Sequence, residues 1–205
     1  MKKIIFATHN EGKMDEIRQI LEDLDVELLS LKDAGIDLDI EENGDTFEEN
    51  AIIKAKAIME LTGQVVLADD SGLEVDYLDK APGIYSARFL GEDTPYSIKN
   101  QHIIDKLSNV KGHERSARFV CVIACACPGG ELIIERATIE GLIAEKISGT
   151  HGFGYDPIFY VPEFGCTMAD MSFEQKNLIS HRGQALRAMK DTIINIISKD
   201  GTREE

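Results

Sequence analysis

The chain has 205 residues, 43% of them hydrophobic and 29% charged, with a formal net charge of −15. That length allows one domain or two small lobes with a sizeable core. The acidic balance excludes a sequence-independent grip on DNA or RNA, which needs a basic footprint, but not a local cationic pocket for a small phosphorylated ligand.

No window approaches the roughly 18 apolar residues of a membrane span. Met1-Lys2-Lys3-Ile4-Ile5-Phe6-Ala7 reaches Thr8-His9-Asn10 too soon for a signal-peptide core. A cytoplasmic protein without nucleic-acid or membrane partners is expected.

Ile4 to Ala7 reads as a first buried strand. Thr8-His9-Asn10-Glu11-Gly12-Lys13 follows and leads into a helix with Ile17, Ile20, Leu21 and Leu24 on one face. A strand, a short loop with Gly and Lys, then a helix start is a phosphate-binding arrangement, because free N–H groups and the positive end of the helix dipole point at the loop. An ordinary turn capped by Asn10 reads the same way. Val26 to Leu29 is a second strand, followed by an acidic stretch containing Glu41 and Glu42. Thr46 and Glu49 form a capping box for the next helix, whose apolar face is Ala51, Ile52, Ala55, Ile58 and Met59, with Lys54 and Lys56 outside it.

Val65-Val66-Leu67-Ala68 runs into Asp69-Asp70-Ser71-Gly72. Four apolar residues suit a strand buried on both faces, and the acids are expected where that strand ends. Ligand sites of open α/β sheets lie at such ends, and alternation points the two carboxylates to opposite sides. Hard oxygen ligands there suit Mg²⁺ and phosphate chemistry; a polar hairpin turn is the competing reading. Thr94-Pro95 predicts a helix with Pro at its first position, running to about Leu107.

Ala117 to Cys127 and Leu132 to Ile139 form a hairpin about Pro128-Gly129-Gly130. Cys121, Cys125 and Cys127 share one strand parity and read as core residues, not metal ligands. Gly152-Phe153-Gly154-Tyr155-Asp156 is a glycine loop that lets backbone approach a ligand while an aromatic stacks on a ring. Ser172 and Gln175 form a second capping box. The last helix buries Ala185, Ala188, Met189, Ile193, Ile196 and Ile197, and 199–205 is expected to be a disordered tail after a catalytic region over 1–198.

Six motifs occur in order: Thr8 to Lys13; Phe47-Glu48-Glu49-Asn50-Ala51 with Lys54; Ala68 to Leu73; Ala81-Pro82-Gly83-Ile84-Tyr85-Ser86-Ala87-Arg88; Gly152 to Pro157; and Ser180-His181-Arg182-Gly183. Together they resemble the inosine triphosphate pyrophosphatase family over roughly residues 3 to 197. A related Maf-type pyrophosphatase would share the opening loop but not the Gly-Phe-Gly-Tyr-Asp and Ser-His-Arg motifs.

The resemblance implies an α/β fold of the Maf/Ham1-like kind, an elongated mixed β-sheet flanked by helices, with two lobes around a deep substrate cleft in a homodimer. It also implies Mg²⁺-dependent hydrolysis of ITP, dITP or XTP to monophosphate and pyrophosphate, a house-cleaning reaction of the nucleotide pool. Thr8, His9, Asn10, Glu11, Gly12 and Lys13 would then hold the triphosphate, with Lys54 reaching it from its helix; the role of His9 stays open. Asp70 would be the general base and a metal ligand. Glu41 would be the other metal-binding acid, with Glu42 as the neighbour that an unaligned reading leaves open. Ser71 would contact substrate, while Asp69 would position. Phe153, Gly154, Tyr155 and Asp156 would wall the purine, and Lys176, His181 and Arg182 would read its 6-keto edge.

Overall fold

A computed structural model describes residues 2–200, without the side chains at positions 197, 199 and 200. The strands are β1 (Lys2–Phe6), β2 (Val26–Ser30), β3 (Val65–Val75), β4 (Ser116–Ala126), β5 (Leu132–Ile143), β6 (Phe159–Val161) and β7 (Cys166–Thr167). The α-helices are α1 (Glu11–Ile20), α2 (Phe47–Thr62), α3 (Tyr96–Lys106), α4 (Phe173–Ile179) and α5 (His181–Asp200). All seven strands join one mixed sheet in the order β2-β1-β3-β4-β5-β6-β7. β1 pairs in parallel with β2 and β3, whereas β5-β6 and β6-β7 are antiparallel. This is the expected α/β class.

The chain divides into two compact units, with β3, β4 and β5 each contributing residues to both. The first comprises residues 1–70, 121–137 and 182–205. Its core sets Ile4 and Phe6 of β1, Met14 and Ile17 of α1, Leu67 of β3 and Ile123 of β4 against Leu186, Met189 and Ile193 of α5. Cys121, Cys125 and Cys127 belong to this core, as their shared parity implies. The second unit, residues 71–120 and 138–181, packs Leu73 and Val75 against Ile103 of α3, its C-cap Leu107, and Phe119, Phe159 and Met168.

Several sequence expectations need correction. β3 does not end at the acid pair; it runs to Val75, because Asp69 and Asp70 find buried partners that let the extended chain pass through them. Pro95 is the N-cap of α3, so the helix starts one residue later than expected, and Thr94 Oγ1 donates to Leu90 O at 2.7 Å. Glu49 reaches past Thr46 to accept from the Asp45 N–H, while Thr46 does cap the Glu49 N–H. In α5, Leu186 is buried and Ala188 exposed. The side chain of Ile197 and residues 201–205 lie outside the described residues, so the tail expectation falls largely there.

Within the second unit, Arg118 of β4 joins Glu74 and Asp76 at 3.3 and 3.1 Å to Glu140 of β5 at 2.8 Å. Asp76 also accepts from Lys80 and from Ser116 Oγ. Those bonds, Lys80 foremost, then Ser116 and Arg118, hold its carboxyl well below the usual range. A depressed carboxyl stabilises the fold above its unfolded pKa of about 3.9, and that contribution is lost as pH falls below it. The melting-temperature gap between wild type and Asp76→Asn is therefore expected to be widest at neutral pH and to narrow below pH ~4. Thermal melts across that range check this; a gap that widens in acid would refute it.

Candidate active site

The first unit builds its site from the β1–α1 loop outward. Asn10 caps α1, its Oδ1 accepting from Lys13 N at 3.1 Å, and Asn10 N donates to Thr8 Oγ1 at 3.1 Å. The loop is thus built as a helix cap. The capped turn leaves the first N–H groups of the helix, those of Glu11 and Gly12 included, facing forward. His9 is exposed, with Nε2 3.5 Å from Leu38 O.

Adjacent on β3, Asp69 and Asp70 face opposite ways, as strand alternation requires. Asp69 is 1% exposed, and Lys13 Nζ sits 2.9 Å from both its oxygens. On its other side Arg182 approaches from the start of α5 at 3.3 Å and also pairs with Glu16 of α1. Glu16 and Arg182 are each 2% exposed, so Glu16, Arg182 and Asp69 form a buried chain of alternating charge that ends on the half-buried Lys13. Burial pushes the Asp69 carboxyl up, but Lys13, Arg182 and Lys54 override it and hold it well below the usual range.

Asp70 faces α2. Asn50 Nδ2 donates to Asp70 Oδ2 at 3.2 Å, and Lys54 Nζ lies 3.6 Å from Asp70 Oδ1 and 2.6 Å from Glu42 Oε1. Burial and then the charge of Glu42 raise the Asp70 carboxyl, against the pull of Lys54 and Lys13. Burial alone would lower the Lys54 ammonium, yet Asp70, Asp69 and Glu42 hold it above the usual lysine range. Lys54 was expected outside the apolar face of α2; it lies on the inward stripe Phe47, Asn50, Ala51, Lys54, Ala55, Ile58, because the acids supply its partners.

Asn50 also ties the acidic loop down, its Oδ1 accepting from Gly44 N at 2.9 Å. Gly44 has no room for a side chain: an added methyl would meet Glu49 Cβ at 2.6 Å and Asn50 Oδ1 at 2.8 Å. Gly44→Ala is expected to cost about 1–3 kcal/mol in stability. Urea unfolding measures this, and an unchanged midpoint would mean that the loop simply yields.

A cavity of about 160 Å³ opens over this site, lined by Thr8, His9, Lys13, Glu42, Lys54 and Asp69 among others. Glu42 lies at the acid and lysine cluster, whereas Glu41 is exposed.

In the second unit, Asp156 is 3% exposed, and its Oδ2 accepts from Phe153 N at 2.8 Å and from Lys176 Nζ at 2.5 Å. The Lys176 ammonium stands 4.6 Å from the Phe153 ring centre, a cation–π distance. Gly152 holds φ +71° against the Asp156 carboxylate, where a Cβ would collide. Tyr155 donates from its hydroxyl to Ser86 O at 2.8 Å, and Asn100 Nδ2 donates to Gly154 O at 3.1 Å. His181 stacks on Phe119 with centroids 4.8 Å apart. Ser71 is half-buried.

The predicted residues thus fall into two groups. The first unit gathers Thr8 to Lys13, Lys54, Asp70 and Arg182; the second holds Ser71, Phe153 to Asp156, Lys176 and His181. Arg182, grouped by resemblance with Lys176 and His181, has its guanidinium on Asp69 and Glu16. Sequence reading gave no role to Asn50 or Glu16. The usable signal for Asn50 was its place three after Phe47 and four before Lys54, on one helix stripe.

A larger cavity of about 700 Å³ lies in the second unit beside Arg115. Four of that guanidinium's N–H bonds go to the carbonyls of Leu107, Val110, Ile143 and Ala144, so Arg115 staples backbone there.

Fold and loop define an α/β protein with a capped helix start beside a carboxylate and lysine cluster. The model of the Ham1 family matches residues 4–192. A curated dITP/XTP pyrophosphatase of Clostridium perfringens is 49% identical, covering 96% of this chain and 100% of its own. Another from Bacillus licheniformis is 47% identical, over 92% and 96%. The solved HAM1 protein of Coxiella burnetii superposes with a TM-score of 0.86 at 40% identity, covering 95% of this chain and all of its own. The chain belongs to the Ham1 family.

Proposed function

We propose that this protein hydrolyses the triphosphates of deaminated purines, dITP, XTP and ITP, to monophosphate and pyrophosphate with Mg²⁺. The observation that carries this reading is Lys54 seated between Glu42 and Asp70, in a cluster whose cavity also holds Lys13 of the anion loop. Support also comes from the relatives, which are dITP/XTP pyrophosphatases.

The donor set fits a hard divalent ion: Asp70 and Glu42 offer carboxylate oxygens, and Mg²⁺ is commonly held by one or two carboxylates together with substrate phosphates. Glu42 is the better second ligand, because Glu41 is exposed. When bound, Mg²⁺ would neutralise phosphate charge and acidify a water. Asp70 would take the proton from the water attacking the α-phosphorus. Lys13 and Lys54 would bind phosphate oxygens and offset charge on the departing pyrophosphate, while the N–H groups at the start of α1 orient the chain.

In the second unit, Phe153 would stack on the purine, and Lys176 would offer a donor to a 6-keto oxygen. Adenine presents an amino donor there instead, which sets donor against donor and supports its rejection. Phe153→Ala is expected to raise KM for dITP by the equivalent of about 1–3 kcal/mol of lost stacking. Steady-state kinetics test it; an unchanged KM would place the base elsewhere.

The same proposal takes the protein as a homodimer with a cytoplasmic house-cleaning role. Among the described residues no helix is long and apolar enough to cross a membrane. The reaction is tested by pyrophosphate release from dITP, XTP, ITP, dATP, dGTP and dTTP, with Mg²⁺ and with EDTA. Metal-dependent cleavage of the first three is expected; preference for dTTP, or no turnover at all, would overturn the reading.

A further inference from the structure

We infer that Lys54 closes the substrate-free site to a bare divalent cation, so that the site takes its metal together with the triphosphate, as one metal–nucleotide complex. The inference rests on the pyrophosphohydrolase reading above.

Lys54 Nζ is 2.6 Å from Glu42 Oε1 and 3.6 Å from Asp70 Oδ1, against both carboxylates that would hold the metal. Its side chain is 11% exposed, so water screens its charge little. A dication between those oxygens would face this ammonium as a like charge, and the two compete for the same acceptor atoms.

The ammonium has somewhere to go once a polyanion arrives. The same cavity is lined by Thr8, Lys13 and Lys54, so phosphate oxygens held by the anion loop come within reach of a lysine's flexible stem. Each phosphate oxygen that accepts from Lys54 releases a carboxylate oxygen for the metal. Asn50 keeps Asp70 in place meanwhile, through its hydrogen bond of 3.2 Å. Metal and nucleotide then strengthen each other's binding by the same factor, as linkage requires. Lys13 serves as the internal control, since its ammonium lines the same cavity but is paired with Asp69, 2.9 Å away, and not with the two carboxylates that would hold the metal.

Mn²⁺ titration of the substrate-free protein, read from the paramagnetic resonance signal of the free ion, tests this, with MgCl₂ calorimetry alongside. Lys54→Met is expected to bind Mn²⁺ at least about tenfold tighter than wild type, within the usual range of site-to-site coupling. Lys54→Arg, which keeps the charge, is expected to stay weak, and Lys13→Met to gain much less than Lys54→Met. Lys54→Gln replaces the methionine variant if circular dichroism shows that the latter does not fold. Unchanged or weaker Mn²⁺ binding in a folded Lys54 variant overturns the inference, as does an equal gain in Lys13→Met, which would mark a general field effect. Hydrolysis of dITP by the same wild-type preparation is scored separately. Its absence would retire the enzymatic reading, whereas intact hydrolysis with an unmoved metal affinity would retire this inference alone.

Discussion

Asp70→Asn is expected to lower turnover of dITP by about 10²–10⁴-fold, the usual contribution of a positioned general base, while leaving the protein folded. The amide keeps the volume of the carboxylate and can still accept the Asn50 hydrogen bond that now measures 3.2 Å. Single-turnover hydrolysis with matched thermal melts makes the distinction. A fall in turnover with an unmoved melting temperature places Asp70 in the chemistry; a variant that stays active within about twofold would move the base elsewhere.

Arg182→Met is expected to act on stability instead. It leaves Glu16 and Asp69, 2% and 1% exposed, with their shared cation gone. Removing one partner of a buried ionic group costs about 3–5 kcal/mol, because the remaining charge is stranded away from water. At this chain length each kcal/mol corresponds to about 2–4 °C in melting temperature. Urea unfolding of the single variant and of Arg182→Met with Glu16→Leu resolves the cause. The double variant should recover part of the loss, since it no longer buries the Glu16 carboxylate; a single-variant loss below about 1 kcal/mol, typical of exposed pairs, would refute the buried-chain account.

Local signals carried much of this molecule. The apolar run from Ile4, the cap at Asn10 and the Ala51, Ala55 and Ile58 part of the α2 stripe are properties of a few neighbouring residues, and each appears where local pattern places it. Local reading failed where a charged side chain is buried by a remote partner. Lys54 was placed outside its helix face because lysine ordinarily seeks water, yet Glu42 and Asp70 come from a loop and a strand. Nothing local marks Glu16, because its partner Arg182 is 166 residues away. The acid pair itself was legible, including the opposite facing of its two members, but not the continuation of β3 through it. Sheet order was equally beyond reach, since β3 and β4 become neighbours across an intervening helix and several turns.

The uninterrupted course of β3 limits how this protein can vary. Its pairing with β1 is fixed residue by residue, Ile4 to Val65, Ile5 to Val66 and Phe6 to Leu67, just ahead of the acids. Inserting or deleting a single residue between Leu67 and Asp69 would rotate everything downstream by half a repeat, turning Asp69 to the Asn50 side of the strand and Asp70 to the Lys13 side. Loops here can gain or lose length one residue at a time, but this strand can tolerate such changes only in twos.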